Sequence, residues 1–167
     1  MTRLRHLQLV ASNGETREDT CHHFNGHLPT LEDFRVDVAE DLFLKLFRHI
    51  CASIAGETAH GWLAARRIAE AELGVQDGWT LINDISTLLH AIKVERAGRF
   101  SFMAADCPVC RRRVCEEEQI ILELMRAARR RDSAAIADHA RALAGGGEAT
   151  RLILAAKALG PQLGERA

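Results

Sequence analysis

The sequence predicts an all-α fold, a single-domain bundle of five or six helices behind an irregular N-terminal arm. Apolar residues recur at helical spacing through most of the chain. Glycines close those runs at Gly56, Gly74 and Gly98, and capping residues such as Thr30, Asp77, Asp132 and Ser133 open them. At 167 residues the chain is long enough to bury a core without cross-links. Its 47% hydrophobic and 27% charged residues are an ordinary globular composition.

Residues 1–30 read as the arm. Leu7-Gln8-Leu9-Val10 alternates weakly before the turn dipeptide Asn13-Gly14, the pattern of a short strand or a frayed tail. The polar stretch after it holds Cys21-His22-His23-Phe24-Asn25-Gly26-His27, four candidate metal ligands within seven residues. Residues 31–167 read as the bundle. Thr30 caps a first helix in which Phe34, Val38, Leu42, Leu46, Ile50 and Ile54 recur every fourth position, with Phe43, Phe47 and Cys51 on an adjoining ridge. A second helix spans about 57–73, with Trp62, Leu63, Ile68, Ala69 and Leu73 available for packing. Asp77 caps a third, whose face is Leu81, Ile82, Ile85, Leu88, Leu89 and Ile92.

Phe100 to Met103 form an extended connector that wedges a cysteine loop, residues 106–115, against the bundle. A fourth helix spans about 115–131 with Ile121, Leu124, Met125 and Ala128 on its apolar side. A short fifth runs from Asp132 or Ser133 to Ala144. A last one spans 148–159 and stops before Gly160-Pro161.

The side chains that suggest chemistry lie in Cys107-Pro-Val-Cys110-Arg-Arg-Arg-Val-Cys115-Glu-Glu-Glu, which gathers three of the five cysteines. If a helix began at Pro108, Cys115 would sit about two turns beyond Cys107 and one ion could not reach all three sulfurs. If it begins near Cys115, Glu116, Glu117 and Glu118 fill the first turn, where the macrodipole favours carboxylates, and the cysteines occupy a loop. Arg111, Arg112 and Arg113 suit a first turn poorly, so the later start is preferred.

A loop can fold Cys107, Cys110 and Cys115 round Zn²⁺, or less readily an iron–sulfur cluster, with a fourth ligand drawn from Cys21, His22, His23 or His27. The favoured function is therefore a non-enzymatic metal-binding accessory or regulatory protein whose Cys loop shapes a surface for a protein partner or a second copy.

Cys107-Pro-Val-Cys110 also resembles the Cys-Pro-x-Cys of glutaredoxin-like oxidoreductases, which implies a nucleophilic Cys107 and a resolving Cys110. The likeness covers four residues, and helices stand where that fold has strands. A metal-free thiol redox protein or sensor is thus the alternative, and a helical interaction module with packed cysteines is a third. Glu57 and His60 form half of a carboxylate-bridged di-iron pattern whose other half is missing.

A net charge of −1 and a pI near 6.7 supply no global field for nucleic acid. That partner is not favoured unless Arg111–Arg113 gather with Arg126–Arg131 on one face. No run is long and apolar enough for a membrane span, and the opening residues lack a signal core, so the expected compartment is the cytoplasm.

Overall fold

The computed structural model describes residues 9–11, 28–56 and 58–164, with backbone only for 9–11. Over these residues the protein is an all-α bundle of six helices: α1 (Val38–Ile54), α2 (Gly61–Leu73), α3 (Val75–Glu95), α4 (Glu116–Arg129), α5 (Ser133–Leu143) and α6 (Thr150–Gly164). Two short strands, β1 (Leu9–Ala11) and β2 (Phe100–Phe102), pair in parallel with Leu9 opposite Phe100. No helix among the described residues is long and apolar enough to cross a membrane.

The first helix begins later than the pattern suggested, because the chain carries two capping boxes in succession. Thr30 and Asp33 exchange backbone-to-side-chain hydrogen bonds of 2.9 Å each, closing a turn that ends at Arg35 with φ 52°. Asp37 and Glu40 then do the same at 3.2 and 2.8 Å, and α1 starts there.

The buried ridge of α1 also differs from the expected row. Residues spaced by four advance about 40° per step around a helix of 3.6 residues per turn. The row from Val38 to Ile54 therefore starts in solvent, with Val38 85% exposed, crosses the core at Leu46 and Ile50, and leaves it at Ile54. Phe43, Phe47 and Cys51 supply the rest of the buried face. Phe47 packs edge-on against Phe100 of β2 at 5.9 Å between centroids, so the connector does bring an aromatic onto the bundle.

Helix α2 turns small residues inward. Gly61, Ala65 and Ala69 are buried, whereas Trp62 and Leu63, which the sequence made available for packing, are exposed. The small face lets backbones approach: a Cβ on Gly61 would stand 2.3 Å from the His49 carbonyl oxygen of α1. Gly74, at φ 79°, both ends α2 and starts α3, so Asp77 lies in the first turn of α3 rather than capping it.

α3 packs along α6, and α6 along α4 and α5. Glu95, at the end of α3, accepts the Arg151 and Leu152 N–H groups at 2.7 and 3.0 Å, satisfying two donors of the first turn of α6. α6 continues through Pro161 instead of stopping at Leu159. Gly160 is buried there against Ala128 of α4, where a Cβ would come within 2.6 Å of the Ala128 Cβ. One hydrophobic core draws on all six helices.

Candidate functional site

Helix α4 begins at Glu116 with Cys115 as its N-cap, so residues 107–115 are a loop, as the later of the two starts requires. Within it, Cys107-Pro108-Val109-Cys110 is a tight turn. The Arg111 N–H donates to the Cys107 carbonyl at 3.0 Å, and the Cys110 N–H donates to Cys107 Sγ at 3.3 Å. An N–H aimed at sulfur stabilises the thiolate form. A single 3₁₀ turn, Cys110–Arg112, follows.

The three cysteines share one small apolar cluster. Met103, Cys110 and Cys115 are buried in it, with Leu28, Ala104 and Cys107 packed at its edge. Cys115 is placed unlike the other two. Its thiol reaches the Ser101 carbonyl at 3.5 Å, and its N–H donates to Glu118 at 3.2 Å. Burial, reinforced by the nearby Glu118 carboxylate, pushes the Cys115 thiol well above the usual thiol range. In the metal-free fold its sulfur therefore favours the protonated form, and a metal bound there would have to displace that proton.

The sign of the resulting pH dependence follows from that raised value. Below the unfolded thiol's pKa of about 8.5 both states hold the proton and burial carries no charge penalty. Above it the unfolded chain releases the proton while the folded one keeps it, so stability is lost as pH rises toward the folded value. We expect the alkaline decline in urea midpoint to become shallower in Cys115→Ala; an unchanged slope would show that other groups set it.

The loop is fixed to the bundle by a buried ion pair that joins residues 70 positions apart. Arg48 of α1, 2% exposed, donates Nε to Glu118 Oε1 and Nη2 to Glu118 Oε2, both at 2.7 Å. Its remaining hydrogen bonds go to the loop itself: Nη1 to the Arg111 carbonyl at 3.0 Å and Nη2 to the Arg113 carbonyl at 2.6 Å. Glu118, fully buried, also accepts the Met103 N–H at 3.0 Å. Burial by itself would lower the Arg48 pKa, but the Glu118 carboxylate outweighs it and holds the guanidinium above its ordinary value.

Two further pairs join α1 and α4. Arg126 bonds Glu40 at 2.9 Å through both Nε and Nη2, and Arg129 bonds Asp37 at 2.6 Å. The sequence reading missed all of these partnerships. A cation inside the apolar run Leu46-Phe47-Arg48-His49-Ile50 was the available signal, together with a Glu three residues after a helix-starting Cys.

The N-terminal arm is tied to the same region at two points. β1 pairs with β2 just before the loop. Further on, the Val114 N–H donates to the Pro29 carbonyl at 3.0 Å, the Leu31 N–H to the Arg112 carbonyl at 2.9 Å, and Arg113 Nη1 to the Leu28 carbonyl at 2.7 Å. Cys21, His22, His23 and His27 lie between these anchors in sequence, outside the described residues, as does Glu57 of the partial di-iron pattern. Among the described residues no three His, Cys, Asp or Glu side chains are grouped closely enough to hold a metal ion. Cys107, Cys110 and Cys115 by themselves therefore do not form a ligand set.

The arginine groups stand apart. Arg111–Arg113 precede α4 and Arg126–Arg131 close it, separated by a helix about 20 Å long. Arg126 and Arg129 are already engaged with acids, so the clustering that phosphate binding would need is not formed. A half-open cleft of about 300 Å³ lies at the far end of α4 from the cysteines, lined by Ala128, Arg131, Ser133, Ile136, Lys157 and Pro161. No protein family, curated protein or solved structure matches the chain.

Proposed function

We propose that the protein is a metal-binding accessory or regulatory protein. In this reading Cys107 and Cys110 supply two thiolates to Zn²⁺, or alternatively to an iron–sulfur cluster, and residues among Cys21, His22, His23 and His27 complete the set. The observation that carries this is the double anchoring of the arm. The chain enters beside Phe100–Phe102, just ahead of the cysteine loop, and returns hydrogen-bonded to Arg112 and Val114 of the loop, so the stretch bearing four ligand-type residues is anchored at both ends close to it. Cys115 is the third candidate ligand; its thiol reaches the Ser101 carbonyl in the metal-free fold and would have to leave that carbonyl and lose its proton to join the set.

Zinc favours four sulfur or nitrogen ligands in a tetrahedron, and a Cys-x2-Cys turn in which the Cys110 N–H faces the Cys107 sulfur is suited to give two. A metal shared by arm and loop would order the surface around exposed Pro108, Val109, Arg111 and Arg112, so partner binding would follow metal supply. We expect protein purified without oxygen to carry about one zinc per chain, a full complement of a single four-ligand site. In Cys107→Ser and Cys110→Ser the metal should be lost while the helical content stays. Metal-free wild-type protein would rule the reading out.

A thiol redox function of the same turn is favoured by one observation, the N–H of Cys110 directed at a half-exposed Cys107 sulfur. It is distinguished by a reversible Cys107–Cys110 disulfide forming in protein that holds no metal.

A further inference from the structure

We propose that Arg48 is the positioning residue of the Cys107–Cys110 ligand turn, holding it in ligand-ready form from beneath; this rests on the metal-binding reading above. Arg48 and Arg126 each hold a carboxylate with two donors and two backbone carbonyls, but those of Arg126 belong to Phe34 and Arg35 ahead of α1, whereas those of Arg48 belong to the cysteine loop. Arg129 binds only the acids Asp37 and Glu40, and in doing so ties helix to helix. Arg48 ties helix to helix through Glu118, and with its two remaining bonds it grips the carbonyl of Arg111, inside the 3₁₀ turn that Cys110 opens, and that of Arg113, directly after it. The same turn sets the Cys110 N–H on Cys107 Sγ.

The chemistry follows from that fork. A guanidinium presents donors in a fixed plane, so two carbonyls two residues apart and one bidentate carboxylate determine where the loop backbone runs. With the backbone fixed, the two sulfurs are presented without an ordering cost at the moment of binding. A lysine in place of Arg48 would keep the charge beside Glu118 but cannot hold a carboxylate and two carbonyls in one plane. The ligand turn would then be free to sample other conformations, and the metal would pay the entropy of ordering it. Groups behind first ligands commonly change metal affinity about 10–100-fold when removed.

The test uses the full-length chain and Co²⁺, whose thiolate charge-transfer bands report both affinity and the geometry of the bound sulfurs. Three proteins are compared by titration: wild type, Arg48→Lys, and Arg129→Gln as the loss of a less buried α1–α4 ion pair that does not touch the loop. Far-UV circular dichroism and urea midpoints are recorded for each, and Arg48→Gln is the second substitution if Arg48→Lys does not fold. We expect Arg48→Lys to bind Co²⁺ at least about 10-fold more weakly, with shifted charge-transfer bands. Arg129→Gln should match wild type in both.

Wild-type affinity and spectrum in Arg48→Lys would overturn the positioning role and leave the metal reading standing. Equal weakening in Arg129→Gln would also overturn it, since the effect would then belong to general stability. Absence of thiolate-to-cobalt bands in the wild type would remove the metal reading and this inference together.

Discussion

Glu118→Ala is expected to lower the stability of the folded protein by about 3–5 kcal/mol, the usual consequence of leaving one member of a buried ion pair alone. Arg48 would keep its carbonyl partners but lose the anion that balances it in a site from which water is excluded. The Met103 and Cys115 N–H groups would lose their acceptor in the same stroke. Glu123 serves as the control, because it pairs with Arg126 at the surface and Glu123→Ala should cost at most about 1 kcal/mol.

Urea denaturation gives both values, provided the m-value is unchanged. The double variant Arg48→Met, Glu118→Leu should recover only the part of the loss that comes from the unbalanced charge, since the Met103 and Cys115 N–H groups and the Arg111 and Arg113 carbonyls stay without their partners. A single-variant cost no larger than that of Glu123→Ala would mean that the pair does not hold the loop.

Gly61→Ala is the second large effect. The Cβ it adds would lie 2.3 Å from the His49 carbonyl oxygen and 3.2 Å from the Ser53 Cβ, both on α1. The clashing oxygen belongs to helix backbone, which cannot swing aside as a long side chain would, so α2 must move off α1. Overpacking of this kind costs about 1–3 kcal/mol, against the gain of at most about 1 kcal/mol that an alanine would otherwise have over glycine in a helix. Loss of several degrees in melting temperature is the expected readout. An unchanged or raised melting temperature would show that the α1–α2 crossing is looser than its geometry implies.

Helix existence was readable from the sequence because each helix buries a face whose period is local. Ile121, Leu124, Met125 and Ala128, for example, are all buried as their spacing required. Boundaries were less readable where two local signals compete. Thr30 is a genuine cap, but of a turn that Arg35 terminates, and the helix itself waits for Asp37. Gly160-Pro161 looks like a stop in one dimension. In three, the glycine is the contact that lets α6 run past α4.

The site divides in the same way. The cysteine loop and its helix start followed from charge and the macrodipole, which act over one turn. Arg48 and Glu118 find each other across 70 positions, and nothing in a local window shows which buried cation meets which acid. The Arg111–Arg113 run drew attention by its charge, yet the fold uses its three main-chain carbonyls and, of its side chains, that of Arg113, which bonds the Leu28 carbonyl.

The most direct test of a metal shared between loop and arm is zinc-edge X-ray absorption on the purified holoprotein, compared with Cys21→Ser and with a His22→Ala, His23→Ala, His27→Ala triple variant. We expect a sulfur shell at ~2.3 Å from Cys107 and Cys110 in every protein that retains metal. The remaining ligands should change in one or both of the arm variants. A wild-type spectrum of oxygen and nitrogen scatterers without sulfur, or one indifferent to both arm substitutions, would contradict it.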